Sequence, residues 1–196
     1  MSAPRLRAVL AGAALALGGC AAPLPPPTLY ALESTPLAAA AGAPFRGTVA
    51  IGPTSVAELI DRSQIVQRTA PNRIEVLDAH RWAEPLRAAV PRVLAAQLAA
   101  RLGEPRVAVA PQLLARPEYR ITLDVARLEY GPAGEARLEI LWTVRRTRDG
   151  AAKSGRSAER EAPTAPGIEF YVAAQGRAIA RAAAEIEAAL REVAGR

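Results

Sequence analysis

The strictest alternation in the chain falls at residues 136–145, where Ala136, Leu138, Ile140, Trp142 and Val144 interleave with Arg137, Glu139, Thr143 and Arg145. A period of two puts the first set on one face of a strand and the second on the other, with Leu141 the exception on the polar side. Tyr119, Ile121, Leu123 and Val125 alternate in the same way with Arg120, Thr122 and Asp124, and the phase then breaks over 126–130, as a bulge would break it. Gly131-Pro132-Ala133-Gly134 turns the chain between these two strands. Asp149-Gly150 marks a second hairpin turn, into a polar return strand over 153–161 whose charges suit a sheet edge.

Two segments change to a period near 3.6. Leu86, Val90, Val93, Leu94, Leu98 and Leu102 form one helical stripe, with Pro85 suited to the first turn and Gly103 to the stop. Pro91 removes a backbone donor, so the regular helix starts near Pro91 or is kinked there. Ile168, Tyr171, Val172, Ile179, Ala183, Ile186, Leu190 and Val193 mark a second helix, with Gly176 as its weak point.

Shorter signals lie ahead of the first helix. Strands are predicted at 29–33 and at 48–51, the latter closed by Gly52-Pro53, and a short helical turn over 55–60. Residues 64–68 and 73–77 read as a hairpin bridged by Thr69, Ala70, Pro71 and Asn72, because Pro fixes φ and Asn tolerates the left-handed region. Asp78, His80, Trp82 and Glu84 then lead into the helix, Trp82 sealing the joint. A short strand over 106–110 follows that helix and completes a crossover unit, right-handed if parallel. The sum is an α+β domain: a mixed or antiparallel sheet with two long helices packed on one face.

The chain of 196 residues opens with Arg5 and Arg7, an apolar run over 8–17 and then Leu17-Gly18-Gly19-Cys20. This is a secretory signal, its apolar run too short to span a bilayer. The only cysteine sits where a disulfide has no partner and a lipobox needs its thiol. By resemblance to bacterial lipoproteins, Cys20 is the acylated residue, and several acyl chains together anchor firmly. Ala21 in the following position implies, by the sorting rule of enteric bacteria, the outer membrane. The organisation expected is therefore a signal peptide over 1–19, a lipidated Cys20 with a proline-rich tether to 28, and a periplasmic domain over 29–196.

The net charge of +6 falls to about +4 once Arg5 and Arg7 are removed, and the arginines are scattered rather than blocked, which argues against nucleic acid. His80 is the sole histidine and Cys20 is consumed by lipid, so a transition-metal site has no ligand set and no cofactor is expected. No G-x-S-x-G occurs, and Asp78, His80 and Glu84 are read as helix caps and braces for Trp82 rather than as a catalytic dyad. Gly150-Ala151-Ala152-Lys153-Ser154 lacks the glycine and the strand-to-helix context of a phosphate loop. The chain is not expected to be an enzyme, nor the ATPase or permease of a transporter. Trp82 and Trp142 read as core residues against the alternative of a lipid groove, and the arginines of the hairpin as a solvated face against a basic binding surface.

The run D-R-S-Q-I-V-Q-R at 61–68, followed by P-N-R-I-E-V at 71–76 and H-R-W-A-E-P-L at 80–86, resembles the auxiliary lipoproteins of ABC-type transport systems, the PqiC-like family of Gram-negative bacteria. The likeness is close over 29–102, weaker to about Thr147, and carried by no motif in the remainder. It implies an outer-membrane lipoprotein serving a lipid-transport system, with an MCE-domain protein and an inner-membrane permease as partners, and self-association into a homo-oligomeric ring as a further expectation. The residues it marks as contact or architecture-setting are Arg62, Gln64, Arg68, Asn72, Arg73, His80, Arg81, Trp82 and Glu84. The rivals are a carrier that itself holds a phospholipid, a lipid hydrolase using His80 beside a serine, and an outer-membrane assembly scaffold.

Overall fold

A computed structural model describes residues 25–33, 45–103, 106–109 and 116–195. The signal peptide, Cys20 and the segment 34–44 lie outside the described residues, and so does the first half of the tether, 21–24. Among the described residues eight strands are formed: β1 (Thr28–Tyr30), β2 (Thr48–Val56), β3 (Gln64–Ala70), β4 (Arg73–Trp82), β5 (Arg106–Val109), β6 (Tyr119–Tyr130), β7 (Ala136–Arg146) and β8 (Ala152–Glu161). Two helices, α1 (Leu86–Leu102) and α2 (Ile168–Gly195), complete the α+β domain.

The sheet is mixed, and it forks at β6. One edge of β6 pairs antiparallel with β7 along its whole length, and β7 pairs with β8. The other edge is shared: residues 119–125 pair parallel with β2, and Tyr130 pairs with Gln67 of β3. The bulge foreseen after Val125 sits between these two stretches, where the register shifts between Val125 and Arg127. An extra residue there bends and twists the strand, so its far end turns to meet a different neighbour. Beyond the fork, β2 carries β5, while β3 carries β4 and then β1.

Both helices cover one face of this sheet. Val49, Ile51, Ile121, Leu123, Val125, Leu138, Ile140 and Val144 point into a single core with Val90, Val93, Leu94 and Leu98 of α1 and Ile179, Ile186 and Leu190 of α2. At roughly 25 cal/mol per Å² of apolar surface, this shared burial is the main term holding the layers together. The opposite face carries Arg120, Asp124, Leu141 and Arg145 and is exposed. Trp142 belongs to the core, its indole nitrogen donating to Ser157 Oγ at 3.0 Å, and the Ser157 hydroxyl in turn donating to Glu185 of α2.

Several local expectations are corrected. Gly52-Pro53 does not close β2; the strand runs on to Val56, with a register shift between Ile51 and Thr54, so the helical turn expected over 55–60 is confined to its end. The hairpin is longer than its two β-type runs, the tip is Pro71-Asn72 alone, and no described residue other than glycine has positive φ, so Asn72 is not left-handed. A register irregularity between Arg68 and Ala70 supplies the curvature instead. α1 begins at Leu86, a full turn ahead of the buried Pro91 that it includes, and β5 pairs with β2 rather than with the strand that precedes the helix.

Gly176 proves to be a close approach. A Cβ placed there would lie 2.7 Å from the backbone oxygen of Glu33, so the glycine lets the N-terminal segment lie against α2. The burial of α2 is also wider than one stripe, taking in Ala174, Ala178, Ala180, Ala182 and Ala189, because the helix meets both the sheet and α1.

Candidate functional site

The residues singled out in the sequence separate into two places, because β3 is seven residues long and its ends stand about 20 Å apart. Gln64, His80, Arg81, Trp82, Glu84 and Arg62 gather at the joint with α1. Arg68, Asn72 and Arg73 lie toward the tip.

At the joint, Trp82 is fixed from several sides. Its backbone nitrogen donates to Ser63 O at 2.6 Å, Tyr30 pairs with it across β1, and its ring lies 6.4 Å from that of the fully buried Tyr171. Burial pushes the Tyr171 phenol up, against the lowering effect of its hydrogen bond from Gln175. The Gln175 amide also reaches the carbonyls of Glu129 and Arg137 at 3.3 Å, which pins α2 to the turn end of β6 and β7. Trp82 therefore stands on a rigid floor.

Above that floor lies a groove of about 490 Å³ lined by Asp61, Arg62, Ser63, Trp82, Ala83, Glu84, Pro85 and Arg87. Two ion pairs frame it, Arg87 with Asp61 and Arg92 with Glu84, and Arg92 also donates to Leu32 O at 2.8 Å. These pairs neutralise one another. Arg62, by contrast, is exposed and has no ion-pair partner among the described residues. Leu59, nearby in the chain, is 44% exposed. Tryptophan and arginine, the floor and the rim of this groove, are residue types enriched at protein-binding hot spots.

The helix-cap reading of Asp78 and His80 is corrected. Both belong to β4, and the N-cap of α1 is Pro85, with no side-chain hydrogen bond. Asp78 accepts from Gln64 at 3.5 Å, the Arg81 guanidinium reaches the Asp78 carbonyl at 3.4 Å, and His80 Nδ1 lies 3.0 Å from the Tyr30 hydroxyl. The partner of His80 is thus a tyrosine on a neighbouring strand. No three His, Cys, Asp or Glu side chains among the described residues lie close enough to hold a metal ion.

At the tip end, Arg68 is architectural. Its Nε lies 3.0 Å from both oxygens of Glu129 on β6, Nη1 donates to Pro71 O at 2.9 Å, and Arg127 places its own Nε 3.0 Å from the same carboxylate. Glu129 faces away from the helices, yet is only 1% exposed because these arginines and the hairpin cover it. Asn72 and Arg73 are exposed. Sequence reading missed Tyr30, Asp61, Arg87 and Glu129, whose partners lie 26 to 61 residues away and leave no local pattern.

Comparison with known proteins bears on both the family and the fold. The model of a family described as "ABC-type transport auxiliary lipoprotein component" matches residues 30–187. A crystal structure of an uncharacterized protein shares the fold at 18% identity, with TM-score 0.69 over 86% of this chain and 99% of its own. A Xanthomonas campestris protein of the DUF330 family shares it at 21% identity, with TM-score 0.64 over 82% and 92%. No curated protein matches the chain.

Proposed function

The chain belongs to the family of ABC-type transport auxiliary lipoprotein components, and on that premise we propose that it is anchored in the outer membrane through Cys20 and docks the periplasmic conduit of an MCE-type lipid-transport system there. The groove at the hairpin–helix joint is the docking surface. The observation that supports this is Arg62: a cation free of any described partner, on the rim of a groove whose other charges are paired and whose floor is the rigid Trp82. Such a site favours an acidic, partly apolar segment of a partner protein, with the rim charge setting the rate of encounter and the floor setting the lifetime of the complex.

The anchor and the tether set where the groove works. Thr28 lies eight positions beyond Cys20, and at about 3.1 Å per residue a proline-rich segment of that length holds the domain within about 25 Å of the lipid surface. No helix among the described residues is long and apolar enough to cross a membrane. A ring of copies closed by a heterologous contact would multiply the docking surface around a conduit.

The experiment is co-purification of the full-length lipoprotein from detergent-solubilised membranes, beside Cys20→Ala and Arg62→Glu variants. The proposal expects an MCE-domain protein with the parent, and its loss or weakening in both variants. Recovery of bound phospholipid without such a protein makes the domain a carrier, and recovery of outer-membrane assembly factors makes it a scaffold; either result overturns docking.

A further inference from the structure

A second cleft, remote from the groove, lies where the tips of two hairpins converge. The β3–β4 tip contributes Pro71 and the β6–β7 turn contributes Pro132, and the notch of about 330 Å³ between them is lined by Arg68, Arg127 and Arg137. The pairing of Gln67 with Tyr130 brings the two hairpins together. Pro71 and Pro132 bring no N–H to the walls, Ala70 brings no side-chain donor, and the side-chain donors that line the notch are the guanidinium groups.

These guanidiniums are held in place by carboxylates that leave part of each fork unused. Glu129, buried beneath, takes the Nε of Arg68 and of Arg127 at 3.0 Å, and Glu135 takes Arg137. Glu139, opposite Arg127 on β7, is already engaged by Arg156 at 2.8 Å. Four guanidiniums therefore stand against three carboxylates, an excess of one positive charge. Each guanidinium has five N–H donors, and the contacts made by Arg127 account for its Nε alone, leaving both terminal nitrogens on a side chain 41% exposed. Orientation of several planar forks by buried acids is the preorganisation that suits tetrahedral oxyanions.

We propose that this three-arginine notch is a binding site for a phosphate group, contacted chiefly by Arg127 with Arg68 and Arg137 beside it. The chemistry is shared by free phosphate and by the phosphodiester of a lipid headgroup, and the bound anion would link the two hairpin tips.

The test titrates the full-length protein in neutral detergent with inorganic phosphate in one arm and with mixed micelles of phosphatidylglycerol in the other. Chloride at matched ionic strength and phosphatidylcholine micelles serve as controls, and binding is read by calorimetry and by thermal shift. Arg127→Gln is the variant of choice, because it leaves the Arg68–Glu129 pair intact; its ligand-free melting temperature reports that the fold is kept. Saturable binding in either arm that weakens about tenfold in Arg127→Gln supports the site, the loss of one charge-assisted contact being of that size. Saturation by inorganic phosphate identifies the free anion, and saturation by phosphatidylglycerol alone identifies the headgroup. Absence of saturable binding in both arms, or equal binding by parent and variant, overturns the proposal.

Discussion

Single side chains decide how this domain responds to pH and to loss of charge. The Arg146 guanidinium and the Ala151 amide hold the Asp149 carboxyl well below its ordinary value of 3.8, at about 2. A lowered acid contributes stability above its unfolded value and loses it as pH falls through the folded one, so the β7–β8 turn should weaken between about pH 4 and pH 2. Acid unfolding of Asp149→Asn should lack that component, which a pH series of melting temperatures reads directly. Glu129→Gln should cost about 3 kcal/mol in urea denaturation, the low end for a broken buried pair because Arg127 keeps part of its hydration. The sequence marked Arg68 as a contact or architecture-setting residue within a solvated face; which of these it is depends on a partner 61 positions away, and no spacing rule reaches that far. Trp142 was legible as core because it falls on the apolar side of its strand's alternation, while Trp82, in step with Asp78, His80 and Glu84, was read as core only because large aromatic rings are usually buried; the Tyr30–His80 contact joins two strands whose pairing the sequence does not state.

At the scale of elements, periodicity was a sound guide wherever one face is buried and the other wet. β6, its bulge, β7, β8 and both helices could be read from the chain for that reason. It failed where an element is buried on several sides or continues through a punctuating residue. β2 runs past Gly52-Pro53, and the burial of α2 spreads well beyond the stripe of large residues. Gly176 gives the sharpest case. Helix propensity alone makes Gly176→Ala a stabilising change of about 1 kcal/mol. The Cβ would instead meet the Glu33 carbonyl at 2.7 Å, and backbone cannot step aside as a flexible side chain can. The variant should therefore melt below the parent, and a variant that melts higher would show that the segment at Glu33 does not hold its place against α2.

For the whole molecule, the forked sheet supports both the groove and the arginine notch. Because β6 lends one edge to β2 and then to β3, the hairpin is carried out to one end of the sheet, with its root against α1 and its tip against the β6–β7 turn. The fold class and the family were legible early, since the hairpin and joint motifs are local; the separation of the marked residues into two sites was not, because it depends on how far the hairpin extends. The central claim is that the groove at the root docks a transport partner. It is tested most directly by placing a photo-crosslinking amino acid at Arg62 and, as a comparison, at Thr143 on the exposed sheet face, in cells making the full-length lipoprotein. The account predicts an adduct with an MCE-domain protein from position 62 and none from position 143. An adduct from position 143 alone would contradict it and move the docking surface to the open face of the sheet.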